Sequence, residues 1–414
     1  MFTTAAAGGR NARVLALCQG LYTCAISIDL TLTGLTGYQL APDKSLATLP
    51  FALITVAGAV TTWFASFLLQ RWGRRAGFVL GAMTCGVGGL VSVWAVFHAN
   101  FWMFCAGTAA VGVFQAFAQY YRLAAADAVP NADKSRAISL VLGGGVVAAI
   151  LGPALANWAK DLFPAVLFAG AYLMVALLGF ASAAILWAGY RDGPDPHAVP
   201  APAATSGVAG GVAPAEAASP PERPLAQIAR QPVFIAAIAN NVVGSVSMMA
   251  VMTAAPLAAV ACSHTMDQGA GIIQWHLVGM YAPSFFAGAL IARFGLPTVL
   301  YAGMALNVIS ALAAMASTSL DAFYVSLFAL GVGWNFMFVG GTTLLARSYR
   351  PAERAATQGC AELLRYVATA LATLAAGPVL ERFGWFTLNA AMLPVVALAA
   401  AMTLWWHLKT PRME

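Results

Sequence analysis

Phe67-Leu68-Leu69-Gln70-Arg71-Trp72-Gly73-Arg74-Arg75 is the stretch that decides the fold, because it returns half a chain later as Gly288-Ala289-Leu290-Ile291-Ala292-Arg293-Phe294-Gly295. Each time an apolar run ends in arginine, an aromatic residue and glycine, the makings of a tight basic turn. A signal repeated at this spacing marks a chain built as two related halves. Outward from both copies lie apolar runs that are continuous rather than alternating. Of the 414 residues, 61% are hydrophobic and only 9% charged, where a soluble domain carries roughly a quarter charged. Lipid offers the backbone no hydrogen-bond partners, so spans are helices or closed barrels, and continuous runs select helices.

The expected spans are 14–36, 47–69, 76–97, 100–122, 137–158, 163–188, 231–258, 269–292, 298–317, 320–345, 355–378 and 384–407. At roughly twenty residues per crossing, about twelve fit the length. They divide into an N-terminal half (1–190) and a C-terminal half (231–414), joined by a linker (191–230). Its stretch from Arg191 to Pro224 is rich in Pro, Ala and Gly without apolar periodicity, and reads as a disordered cytoplasmic segment. Met1 to Arg13 shows no separate cleavage pattern and is expected to be retained.

Charge sets the orientation. With the N-terminus inside, Arg71, Arg74, Arg75, Arg122, Lys134, Arg136, Arg191, Arg223, Arg230, Arg293, Arg347, Arg350, Arg354, Lys409 and Arg412 share one side. The opposite loops keep only Lys44, Lys160 and Arg382. Basic loops stay cytoplasmic, so both termini are expected there. The net charge of +6 is thus distributed among short loops, without the contiguous basic face that nucleic acid requires. Six cysteines without CxxC spacing form no disulfide framework. No nucleophile–base pair, phosphate loop or hydrolase spacing is present, so neither an enzyme nor a cofactor is expected.

The repeated Arg-aromatic-Gly loop, the six-plus-six spans and the central linker together resemble the major facilitator superfamily. That resemblance implies an all-α membrane protein of about twelve transmembrane helices in two six-helix halves, moving cargo by alternating access. Gln70 stands where an Asp is common in that loop, so a loop-based conformational latch is not carried over. The superfamily's cargoes range over sugars, drugs, peptides and ions, and fold alone selects none of them.

Two residue pairs bear on cargo. Met248 and Met252 lie four apart in the seventh span, and His276 and Met280 four apart in the eighth. Residues four apart share a helix face. At 1.5 Å per residue, Met252 and His276 lie roughly 9–10 Å from the outer ends of their spans, and Met248 and Met280 roughly 15–16 Å. The pairs therefore align as two rungs of an antiparallel hairpin. Three thioethers and an imidazole are soft, neutral donors suited to Cu(I). Methionine is equally a common filler of helical cores, and a membrane histidine also serves to bond a neighbouring backbone. Pro256 and Pro283 are expected to loosen the hairpin nearby.

MxxxM followed by HxxxM in these two spans resembles the CcoA-like copper importers, a bacterial branch supplying copper for cbb3-type cytochrome c oxidase assembly. The resemblance implies that Met248, Met252, His276 and Met280 bind copper as transported substrate, at the inner membrane, with import as the direction. It also admits cytoplasmic copper chaperones or exporters as partners, beside the membrane lipids. The alternative keeps the fold and carries a drug-like or metabolite molecule, with the methionines lining its cavity; a third reading is a non-transporting copper receptor or assembly factor.

Cys262, His264 and Met266 in the intervening outer loop are either a copper-collecting rim or an ordinary polar loop. Asp29, deep in the first span, marks a proton or ion path or is a hydrogen-bonded structural acid. Glu362 and Arg365, three apart, are expected to neutralise each other. Gln115, Gln119, Tyr120, Tyr121 and Arg122 fit interhelical packing or an exit path.

Overall fold

With no water to satisfy backbone groups in lipid, each apolar run closes its hydrogen bonds internally as a helix. The computed structural model describes residues 2–129, 134–192, 223–350 and 353–409, and every regular element among them is helical. The first half contains α1 (Phe2–Leu40), α2 (Leu49–Trp72), α3 (Arg74–Phe97), α4 (Phe101–Ala118), its short continuation α5 (Tyr121–Asp127), α6 (Lys134–Ala159) and α7 (Ala169–Gly189). The second contains α8 (Leu225–Ala229), α9 (Pro232–Ala261), α10 (Met266–Tyr281), α11 (Ser284–Phe294), α12 (Leu296–Ala316), α13 (Leu320–Ala346), α14 (Arg354–Ala390) and α15 (Met392–Lys409).

Together α10 and α11 form one span bent by 45° at Pro283. The stretch Ala356–Lys409 runs 54 residues, over twice the length of one crossing, and breaks at Gly384 with φ 78°. Broken there, it is long enough for two crossings.

Several boundaries differ from the sequence expectation. The sixth span starts at Ala169 rather than near 163, because Phe168 adopts a left-handed conformation that ends the preceding turn. Gln119 and Tyr120 break the fourth span before α5. Pro283 divides the eighth, whereas α9 stays helical through Pro256 to Ala261. The short helix α8 falls inside the expected linker, whose residues 193–222 lie outside the described residues.

The repeated turns behave as their glycines require. Gly73 and Gly295 sit at φ 82° and 85°, positions that side chains with a Cβ rarely adopt. Arg382-Phe383-Gly384 repeats the pattern a third time. At the first turn the Asp192 carboxylate accepts a 3.0 Å bond from the Arg75 backbone N–H, where the N-terminus of α3 favours negative charge. The Arg75 guanidinium donates to the Trp187 carbonyl and lies over the Trp187 ring.

Within each half the helices approach closely through small residues. Gly88 of α3 presses on α4 at Gly107, and Gly89 on α7 at Ala176, the packing that suits a lipid environment. Polar contacts between the halves cluster at the arginine-poor end. Lys160, after α6, pairs with Asp267 of α10 at 2.8 Å. Thr48 donates to the Thr373 carbonyl of α14 at 3.4 Å and accepts from the Gly377 N–H at 3.2 Å. At the arginine-rich end α5 packs against α1 and α6, and α11 against α10, α12 and α13, each within its own half. Among the described residues, the polar contacts that join the halves therefore lie toward the arginine-poor end.

Candidate functional site

The two methionine rungs fold into hydrophobic core. Met248, Met252 and Met280 are buried in one cluster with Phe51, Ile54, Phe323, Leu327 and Trp385. His276 is fully buried, and its Nδ1 lies 2.7 Å from the Leu327 carbonyl of α13, the donor role falling to an Nδ1–H. Nε2 is buried without a partner. Gly331 lies close by: a Cβ there would stand 2.5 Å from the His276 carbonyl and 2.9 Å from the Met280 N–H. That close approach holds α10 against α13, beside the His276–Leu327 bond. The structure places the three methionines within one large hydrophobic core cluster and ties the imidazole to α13.

The outer loop disperses its soft donors. His264 Nε2 bonds the Thr318 carbonyl at 2.8 Å and its ring meets Phe323 edge-on. Met266 packs on the core of the first half. Cys262 caps α9, half-buried with a free thiol.

Asp29 lies inside the first half. Its Oδ1 accepts from the Thr33 hydroxyl at 3.1 Å, and Oδ2 is buried without a partner. The Tyr172 hydroxyl of α7 is 3.3 Å from that of Thr33 and 3.0 Å from that of Thr36, which ties this polar patch to α7. Along the fourth span Gln115 faces α2 at Gly58 and Tyr121 is buried, as packing residues are.

A different constellation lies on the face of α14 that meets the other half. On α14, Glu362, Tyr366, Thr369 and Thr373 recur at helical spacing and share a face. Thr373 meets Thr48 of the other half, so this face of α14 is the one turned toward the other half. Leu363, Leu364, Val367 and Leu371 form the exposed apolar back of the helix, toward lipid. Arg365 bonds Glu362 through Nε at 3.1 Å and Nη2 at 2.6 Å, the mutual neutralisation its spacing predicts. Its guanidinium lies 4.5 Å from the Tyr366 ring centroid and 5.8 Å from that of Phe338.

Phe338 stacks on Trp334 one turn away on α13, with centroids 4.9 Å apart and planes 13° from parallel. The Trp334 indole N–H donates to Ser245 of α9 at 3.4 Å. Counted at 1.5 Å per residue, Phe338, Glu362, Arg365 and Trp334 lie about 12–18 Å from the arginine-rich ends of their helices, near mid-depth. Sequence reasoning passed over Trp334, Phe338 and Tyr366; the WxxxF spacing was visible, but an aromatic pair in an apolar helix is indistinguishable from core without its neighbours.

The fold and its repeated turns are those of a membrane protein built of two related halves. The matching family model is the Major Facilitator Superfamily, over residues 15–274 and 272–414, and the chain belongs to that family. It is a transporter, not an enzyme. It is 37% identical to the riboflavin transporter RfnT of Brucella anthropi over 398 residues, 96% of this chain and 95% of that protein. Two uncharacterized MFS-type transporters of Bacillus subtilis are also similar: YdeG at 26% identity (86% of this chain, 82% of that protein) and YddS at 25% (96% and 91%). Among solved structures, a bacterial homologue of the human lysosomal transporter Spinster, in an inward-facing and occupied conformation, superposes with a TM-score of 0.68. It shares 14% identity and 96% coverage of both chains, a likeness of fold.

Proposed function

We propose that this chain carries a flat aromatic metabolite of the riboflavin kind across the bacterial inner membrane, by alternating exposure of the gap between its halves. The observation that carries the reading is the 37% identity to RfnT, sustained over nearly the whole of both chains. The mid-depth aromatic residues support it, since a planar ring system gains both burial and stacking there. The arginine-rich end, with both termini, faces the cytoplasm.

This reading displaces copper import, because the relative that covers nearly the whole chain at 37% identity is a riboflavin transporter. Copper retains one structural observation: the buried, unpartnered Nε2 of His276, whose Leu327 partner belongs to the same extended apolar core as Met248, Met252 and Met280. One experiment separates the two. Riboflavin-auxotrophic bacteria expressing the chain are assayed for uptake of labelled riboflavin and, in the same cells, for copper content. Riboflavin uptake above the vector control with unchanged copper supports the proposal. Copper accumulation that His276→Ala abolishes, without flavin uptake, would restore the metal reading.

A further inference from the structure

Resting on the flavin reading, we infer that Arg365 and Glu362 form a charge-balanced recognition pair which, with the Trp334–Phe338 stack, selects an uncharged planar heterocycle and rejects its phosphorylated form.

Glu362 is half exposed although it sits well inside α14, while the Arg365 side chain is only 18% exposed. The exposed carboxylate shares the face that meets Thr48 of the other half, away from the exposed apolar back of Leu364, Val367 and Leu371. A membrane-embedded ion pair is costly, and such groups are characteristic of cargo paths. A purely structural pair has no need to open onto that path.

The geometry suits a particular ligand chemistry. Arginine carries five N–H donors, and the two bonds to Glu362 leave others for a ligand. Those two bonds and the flanking Tyr366 and Phe338 rings hold the guanidinium plane in place. A fixed planar fork beside stacked aromatic rings matches a flat ring system whose edge bears carbonyl acceptors, as the imide edge of a flavin does. Pair neutrality then decides charge. An uncharged ring meets a site of net charge zero, whereas a phosphate brings about two negative charges that Glu362 repels and that Arg365, already paired, does not offset.

The test uses purified full-length protein in lipid nanodiscs and the intrinsic fluorescence of riboflavin and of flavin mononucleotide, each titrated to give a Kd. Wild type is expected to prefer riboflavin by about tenfold or more. Glu362→Gln leaves the arginine uncompensated and should narrow that preference by about tenfold, chiefly by tightening the mononucleotide. Arg365→Lys retains the charge but loses the planar fork, and should weaken riboflavin by about tenfold without favouring the mononucleotide. This second variant keeps the inference testable if the first does not fold. Wild-type riboflavin binding with both variants unaltered would overturn the site assignment alone. No riboflavin binding by wild type would overturn the proposed cargo and the site with it.

Discussion

Lys160, just past the end of α6, stands 2.8 Å from Asp267 in the first turn of α10 and ties the two halves together at the arginine-poor end. Burial works against the lysine's charge, but the bonds to Asp267 and Asp161 outweigh it and raise its pKa above the ordinary value. A raised lysine pKa preserves the attraction at all lower pH and loses it only as pH climbs through the raised value, so the lysine keeps its charge across neutral pH. Asp267 also lies at a helix N-terminus, where negative charge is favoured.

Removing that pair should loosen the closed end. The carboxylate is mostly exposed, so Asp267→Asn is expected to cost the closed state about 0.5–1 kcal/mol, or about two- to fivefold in the closed-to-open ratio. Spin labels at Leu162 and Thr318, read by pulsed electron resonance, should show a growing long-distance population. The exchange Lys160→Asp with Asp267→Lys should reverse it, and an unchanged distribution in Asp267→Asn would remove the latch role.

Gly331 and Gly288 make a paired test of helix approach. A Cβ at Gly331 meets backbone atoms of α10 at 2.5–3.0 Å, whereas one at Gly288 meets nothing within 4 Å. Gly331→Ala is therefore expected to destabilise by about 1–3 kcal/mol. Gly288→Ala should be neutral or stabilise by about 0.5–1 kcal/mol. Thermal melting in one detergent compares them, and equal melting points would contradict the α10–α13 contact.

His276 should matter for stability more than for cargo. Losing its bond to Leu327 in His276→Ala is expected to cost about 1–3 kcal/mol. Riboflavin uptake, normalised to folded protein in the membrane, should stay within about twofold of wild type. A loss per folded molecule well beyond that would place the imidazole on the cargo path.

Arg223, just before α8, anchors that helix to the residues between α13 and α14. Its backbone N–H, Nε and Nη2 donate to the buried Glu353 carboxylate at 2.9, 2.9 and 2.7 Å, and the Arg350 N–H adds a fourth bond. The Arg223 guanidinium foremost, with those backbone bonds, holds Glu353 well below the ordinary carboxylate value of 4.5. A depressed carboxylate pKa contributes stability that is fully present above 4.5 and lost only as pH falls through the depressed value. Hydrogen exchange in α8, corrected for intrinsic rate, should match at about pH 7 and pH 5 in wild type and rise at both in Glu353→Gln. Extra exchange already at pH 5 in wild type would contradict the anchor.

The site was only partly legible in the sequence. Glu362 and Arg365 were readable as a pair because three residues on a helix bring side chains together without help from the rest of the fold. Their place on the face turned toward the other half was not readable, since it depends on which face of α14 reaches Thr48, more than 300 positions away in the chain. The methionine rungs show the converse. Spacing and depth aligned Met248, Met252, His276 and Met280, but helix rotation is set by contacts, and Gly331 draws α10 onto α13.

What the sequence by itself determined is the architecture: continuous apolar runs must be helices in lipid, the repeated Arg-aromatic-Gly turns impose two halves, and the basic loops set the expected orientation. These are local properties, each settled within about twenty residues. What only the tertiary structure decided is which polar groups face the other half and which serve packing. A helix rotated by a single residue, about 100°, exchanges those roles, and its rotation is fixed by close approaches such as Gly331 on His276 and Thr48 on Gly377.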